Sequence, residues 1–298
     1  MFQKTVVVDF TGMNEWAQDQ LRALSREVVF YDDFPKDTAE VIRRIQDADC
    51  VMVSYNTLIP REAIEAAPNL RYIGMCCTLY NEKSANVDIA AARERGITVT
   101  GIRDYGDVGV YEFAVASLVD LLHGFHGKQW RERPYELGGI KVAMLGMGTT
   151  GQLVAKALRF FGCDIRYYSR HPKPEAEAEG FSLCPLEEIL PWADVVVTQL
   201  PKKTFLLGQR EFQLLDDGKI LLNMSIGPTF DLDAIKEWLR RPGNFYICED
   251  VGILGTEGEW DGFDNVIYAP VCAGSSVQCT QRLSEKSIQN LLNFMEGK

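Results

Sequence analysis

The sharpest chemical signal in the chain is the run Gly146-Met147-Gly148-Thr149-Thr150-Gly151. The spacing G-x-G-x-x-G gives each glycine a task. Gly146 permits a tight turn, Gly148 lets the backbone approach a pyrophosphate, and Gly151 lets a helix lie close to a strand. The motif carries weight only between a strand and a helix. Here it follows the apolar run KVAML and opens QLVAKALRFFG, a helical segment that ends on glycine. A diphosphate would rest on that helix N-terminus, where N–H groups and the helix dipole favour anions. The alternative is a glycine turn with no ligand, which this setting disfavours.

The next strand selects the dinucleotide. A site for NAD places Asp or Glu about 20 residues beyond the glycines, where it accepts from the ribose hydroxyls. The corresponding strand end reads Tyr167-Tyr168-Ser169-Arg170-His171-Pro172-Lys173, with no carboxylate. Ser169 can hydrogen-bond a 2′-phosphate, Arg170 can pair with it through its fork, and Lys173 can add a point charge. NADP(H) is therefore expected over NAD(H). The plainer reading of Arg170 is a solvated charge at a strand end.

These residues need a sheet to hold them. TVVVDF (5–10), EVVFYD, CVMVSYN, LRYIGMCC and ITVTGI read as strands. Between them lie helical segments at NEWAQDQLRALS, DTAEVIRRIQD, REAIEAAP and NVDIAAARERG. A long apolar helix is expected from about Val108 to His126, then a connector, GKQWRERPYELGG. From Lys141 to about Pro270 the alternation returns, with strands at KVAML, CDIRYYS, VVVTQLP, KILLNMS, FYICEDV and NVIYAP. LEEILPWAD and FDLDAIKEWLRR are the helical segments there, the second capped by Asp231. A last helix runs from about Ser276 to Met295. Strands rich in Val and Ile alternating with helices give βαβ units and parallel sheets, an α/β fold.

Bulk properties narrow the partners. The chain has 298 residues, room for two ordinary domains, and a net charge of −11. That balance argues against nucleic acid, which needs a concentrated basic face. No apolar run reaches the roughly 18 residues of a membrane span, and the N-terminus lacks a signal-peptide core. The eight cysteines, Cys50, Cys76, Cys77, Cys163, Cys184, Cys248, Cys272 and Cys279, show no C-x-x-C spacing. They read as buried thiols in a reducing cytoplasm, with no metal site expected.

At this point the sequence resembles the D-isomer-specific 2-hydroxyacid dehydrogenases, among them glyoxylate and hydroxypyruvate reductases. The blocks that carry the likeness are ANVDIAAARERGITVTGI, GVYEFAVASLVDLL, VAMLGMGTTGQLVAKALRFFG, VTQLPKKT, LLDDGKILLNMSIG and the Asp250-Val251 pair. The resemblance implies two doubly wound parallel-sheet domains with a cleft between them. A flavodoxin-like substrate domain would take 1–107 plus 275–298, and a Rossmann cofactor domain would take 108–274. It implies a homodimer formed through the cofactor domain and the helix leading into it, and a small-molecule substrate. It also implies that Leu200, Pro201 and Thr204 flank the adenosine side of the cofactor. Ser225 would lie beside the nicotinamide half, and Asp250 would face the carboxamide.

The family's catalytic trio does not carry over. Where the resemblance expects a substrate-holding arginine stands Ile226, and where it expects the proton-transferring histidine, after Pro270, stands Val271. The nominal glutamate position is Gly255, with Glu257 nearby. His123, His126 and His171 lie elsewhere. The family's glycine-rich substrate loop here reads Cys77-Thr78-Leu79-Tyr80, with about four extra residues before Asn86. An isoleucine cannot fork to a carboxylate, and a valine cannot exchange a proton, a function worth about 10²–10⁴-fold. Two readings follow. One is an NADP(H)-dependent oxidoreductase with a rebuilt cleft and a less polar substrate, its proton supplied by Tyr105, Asp107, Tyr111, Glu257 or Cys272. The other is a catalytically silent cofactor-binding sensor or interaction module. A fold relic without dinucleotide is a third, which the intact glycine turn opposes.

Overall fold

The computed structural model describes residues 1–201, 204–225, 227–249 and 258–298. Asp250, Ile226, Gly255 and Glu257 lie outside the described residues. The chain divides into two compact units, Met1–Gly106 with Ser276–Lys298, and Asp107–Ser275.

The first unit holds a parallel five-stranded sheet in the order β2-β1-β3-β4-β5. Its strands are β1 (Phe2–Val7), β2 (Ser25–Phe30), β3 (Cys50–Val53), β4 (Tyr72–Thr78) and β5 (Thr98–Ile102). The helices α1 (Glu15–Leu24), α2 (Thr38–Ile45), α3 (Arg61–Glu65) and α4 (Ile89–Glu94) make the crossovers. This is the flavodoxin-type strand order. The first strand lies three residues earlier than TVVVDF suggests. Phe2 is the reason, because it is buried against Tyr72 and Phe294 and starts the ladder from the core side. Asp9 falls beyond the strand, where its carboxylate accepts from the Ser54 amide at 2.9 Å and the Ser54 hydroxyl at 2.6 Å.

The second unit opens with α5 (Asp107–His123), which stops at Gly124, a residue with φ of 72°. It carries β6 (Lys141–Leu145), α6 (Thr149–Phe160), β7 (Asp164–Tyr168), α7 (Pro174–Ala178), β8 (Ser182–Leu183), α8 (Leu186–Trp192) and β9 (Val195–Thr198). It continues with α9 (Gln209–Leu214), β10 (Ile220–Asn223), α10 (Leu232–Leu239), β11 (Phe245–Glu249) and β12 (Val266–Ala269). Among the described residues its parallel sheet runs β12-β11-β10-β9-β6-β7-β8. Counted within the unit, the first six strands take the Rossmann order 3-2-1-4-5-6, with β12 added at the edge. Four consecutive buried residues in β9 and in β10 show that both faces of the sheet are covered. Asp231 caps α10, accepting from the Ala234 amide at 2.8 Å. The segment 127–139 forms no helix or strand, yet Trp130 pins it by donating to the Gly218 carbonyl at 3.0 Å.

The chain returns to the first unit as α11 (Val277–Met295), capped by the Ser276 hydroxyl. Its Leu283, Ile288 and Leu291 pack into the core around Phe2, Met52 and Tyr72.

Candidate functional site

In an open α/β sheet, ligands bind outside the carboxyl ends of the strands, where the strand order reverses. In the second unit that point lies between β6 and β9. The glycine turn sits there. Gly146 has φ of 104°, and a Cβ on it would collide with the Gln199 carbonyl at the exit of β9. A Cβ on Gly151 would come within 2.5 Å of the Gly146 carbonyl oxygen, so α6 lies directly on the turn. Gly148 differs from both. It is the N-cap of α6 in extended backbone, and a Cβ there would meet nothing within 4 Å among the described residues. Two glycines thus close the turn, and the third leaves open space over the helix N-terminus.

Neighbouring strand ends converge on the turn. The Gly146 amide donates to the Tyr168 carbonyl at 2.9 Å, which ties the turn to the end of β7. Ser169, bonded to the His171 carbonyl, and Arg170 follow at once. Arg170 is exposed and makes no hydrogen bond or ion pair among the described residues. The acids that come next are engaged elsewhere. Glu175 accepts from Gln152 at 3.3 Å, and Glu177 accepts from the buried Tyr167 hydroxyl at 3.1 Å. The Lys173 amide donates to the same hydroxyl at 2.9 Å, so Tyr167 braces the loop that carries Arg170.

At the exits of β9 and β10 lies a polar network. Thr198 donates to Asn223 Oδ1 at 2.6 Å, the Ser225 amide donates to the same oxygen at 3.1 Å, and the Leu200 amide donates to Ser225 Oγ at 2.8 Å. Leu200 and Ser225 are therefore locked together beside the turn. The Thr204 amide donates to the Pro201 carbonyl at 3.1 Å. Gln199 adds a further feature, a buried Oε1 acceptor with no hydrogen-bond partner among the described residues. Buried acceptors are rarely left so, and each asks for an explanation. The glycine cradle, the open space over Gly148 and this orphaned acceptor fit a dinucleotide with hydrogen-bond donors of its own.

The candidate proton donors belong to different elements of the two units. Asp107, at the start of α5, accepts from Thr150 Oγ1 at the glycine turn. Tyr111 lines an apolar groove between α5 and α6 with Val115, Val119, Ala157, Phe160 and Phe161. Tyr105 belongs to the first unit, where burial pushes its phenol up to about 12 against a lowering hydrogen bond from Thr78. Cys272 is exposed, in a loop whose Ala273 amide donates to the Glu249 carboxylate at the end of β11. That loop lies so close to α5 that a Cβ on Gly109 would collide with the Ala273 carbonyl. Val271 is 56% exposed. Of the histidines, His126 pairs with Asp120 at 2.7 Å, His123 stacks on Phe125, and His171 lies beyond β7. Glu249 and the Thr198–Asn223 pair escaped the sequence reading. Their signal was a polar residue closing an apolar parallel strand.

Fold and site together define a Rossmann-type α/β domain with a glycine turn at its switch point. The family model for the NAD-binding domain of D-isomer specific 2-hydroxyacid dehydrogenases matches residues 115–254. A hydroxypyruvate reductase of Blautia hydrogenotrophica is 30% identical over 319 residues, covering 99% of this chain and 97% of the relative. A glyoxylate reductase of Thermococcus kodakarensis is 28% identical, covering 87% and 83%. Among solved structures, the TT0316 protein of Thermus thermophilus superposes with a TM-score of 0.83 at 26% identity, covering 99% of this chain and 98% of that one. The chain belongs to the D-isomer-specific 2-hydroxyacid dehydrogenase family.

Proposed function

We propose that this chain is an NADP(H)-dependent oxidoreductase acting on a small carbonyl or hydroxy compound, without the family's arginine–histidine pair. The second unit is the cofactor domain and the first the substrate domain. The single observation that carries the reading is the open space over Gly148 at the switch point, between two glycines that only a close turn explains. Gly146, Gly148, Thr149, Thr150 and Gly151 would hold the diphosphate, and Ser169 and Arg170 a 2′-phosphate. Leu200, Pro201, Thr204 and Ser225 would line the adenosine and nicotinamide sides, with Asp250 at the carboxamide. The nicotinamide, when bound, supplies the hydride that a carbonyl carbon accepts, leaving an alcohol and oxidised cofactor once a proton reaches the oxygen.

Arg170 supports NADP(H) because it is exposed and unneutralised, while Glu175 and Glu177 are turned to Gln152 and Tyr167. The Asp107–Thr150 bond orders the start of α5 against the phosphate end of the site. Tyr105, its phenol pushed up to about 12 by burial, stays protonated at neutral pH and would serve as a proton donor, not as a base. The same reading places a second copy of the chain over the α5–α6 groove. Its volume is about 550 Å³ and Phe160 there is 85% exposed. A face this apolar asks for a partner. The thiols form no disulfide, which suits a reducing compartment such as the cytoplasm.

A second reading, a cofactor-binding module without turnover, is favoured by Val271 at the family's histidine position and by the engagement of His126 with Asp120 and of His123 with Phe125. Both readings require the dinucleotide. Native mass spectrometry of freshly purified protein tests that requirement. The expected result is a mass increment of NADP(H), or one that forms on adding it. No increment with either NADP(H) or NAD(H) would leave only the fold relic.

A further inference from the structure

Between β7 and α7 the chain sets two cations close to three acids and leaves them unpaired. Arg170 and Lys173 belong to the loop 169–173, and Glu175, Glu177 and Glu179 follow at alternate positions. Among the described residues no ion pair joins either cation to a carboxylate. The acids are turned to other partners. Glu179 pairs with Lys156 of α6 at 2.8 Å. Glu175 accepts from Gln152 of α6 at 3.3 Å, and Glu177 accepts from the Tyr167 hydroxyl at 3.1 Å.

Tyr167 stands at the base of this arrangement. Side chains alternate along β7, and those of Ile165 and Tyr167 are the buried ones. The Tyr167 ring belongs to the core cluster with Val142, Met144 and Leu158, so packing fixes where its hydroxyl lies. A phenol has one proton to give and lone pairs to accept with. Here it accepts from the Lys173 amide at 2.9 Å, which closes residues 168–172 into a loop, and it gives its proton to Glu177. Burial pushes the phenol above its ordinary value, so it keeps that proton. The partner of Glu177 is therefore neutral. It engages the carboxylate without consuming a cation of the loop, where an ion pair to Arg170 or Lys173 would neutralise it.

We propose that Tyr167 is a positioning residue that sets cofactor specificity. By holding Glu177 on a neutral hydroxyl and pinning the Lys173 amide, it keeps Arg170 and Lys173 open to the 2′-phosphate of NADP(H). The inference rests on the NADP(H) reading above and names what maintains it. A carboxylate set loose at this loop would compete for the arginine and repel the phosphate. The same carboxylate would accept from the ribose hydroxyls of NAD(H), as an acid beyond this strand does in NAD sites. The two cofactors should therefore respond differently to loss of the phenol.

Tyr167→Phe keeps the ring and its packing and removes both bonds. Fluorescence titration of the full chain with NADPH and with NADH gives the ratio of affinities, and thermal unfolding reports the structural cost. The preference for NADPH should fall on the order of tenfold in Tyr167→Phe, through weaker NADPH binding. Adding Glu177→Gln removes the released carboxylate while the loop stays unpinned, and most of the preference should return. Equal weakening of both nucleotides in Tyr167→Phe would make Tyr167 a support of the fold alone and overturn the proposal. So would a lost preference that Glu177→Gln does not restore. A wild type that prefers NADPH, with the same ratio in Tyr167→Phe, would sink the role of Tyr167 and leave the NADP(H) reading standing. A wild type that binds both nucleotides alike would remove that reading and the proposal together.

Discussion

Gly148→Ala separates binding from folding at the dinucleotide site. Gly148 has φ of −78° and ψ of −169°, a conformation alanine adopts without strain, and the new Cβ would meet nothing within 4 Å among the described residues. At an N-cap, alanine is worse than glycine by some tenths of a kcal/mol, and the reduced freedom of the unfolded chain gives a similar amount back. The net change in stability should be within about 0.5 kcal/mol, a shift in Tm of about 2 °C or less. The methyl group would project into the space that a pyrophosphate needs, so NADPH affinity should fall on the order of tenfold to a hundredfold. Gly146→Ala is the counterpart. It forces alanine to φ of 104° and drives a Cβ into the Gln199 carbonyl. Left-handed strain alone costs about 1–2 kcal/mol, and the collision adds to it. Thermal unfolding and NADPH fluorescence titration on the two variants form the assay. Unchanged NADPH affinity in Gly148→Ala would refute the placement of the diphosphate over this helix.

Three further outcomes follow from the same geometry. Arg170→Asp should weaken NADP(H) binding far more than NAD(H) binding, and equal loss in parallel titrations would remove the 2′-phosphate assignment. The Lys36 amide, and then the buried Arg44, hold the Glu40 carboxyl down at about 2, below its ordinary 4.5. A carboxyl depressed in the fold stabilises it above the unfolded value and loses that contribution as pH falls toward the folded one. Thermal unfolding should therefore show a stability loss between about pH 4.5 and 2 that Glu40→Gln flattens, and parallel curves would contradict it. If the α5–α6 groove carries the proposed dimer, wild type should sediment as a dimer and Phe160→Glu with Val119→Glu as a monomer; a monomeric wild type would remove the dimer, and an undisturbed dimer would place the interface elsewhere.

Much of the scaffold was legible because its signals are local. A Val-rich run followed by glycines needs no partner to be read, and Asp231 and Ser276 announce helix starts by residue type. The elements α7, β8 and α9, of two to six residues, left no periodicity to read. The polar network at the site depends on register. Thr198 meets Asn223 only because β9 and β10 pair in step, Leu222 beside Val197. The orphaned Gln199 acceptor and the hydrogen bonds of Arg103 to the Leu79 and Tyr80 carbonyls are likewise products of loops from distant parts of the chain. Tyr111, in the helix-start motif, lines the groove between α5 and α6, a neighbourhood that depends on how the two helices pack and not on sequence order.

The most direct test of the central claim is a fluorescence titration with NADPH and NADH, followed by cofactor oxidation against glyoxylate, hydroxypyruvate, pyruvate and uncharged aldehydes and ketones. NADPH should bind more tightly than NADH and be oxidised by at least one of these carbonyl compounds. Failure to bind either nucleotide would contradict the claim outright, and tight binding without oxidation of any carbonyl would leave a cofactor-binding module in place of an enzyme.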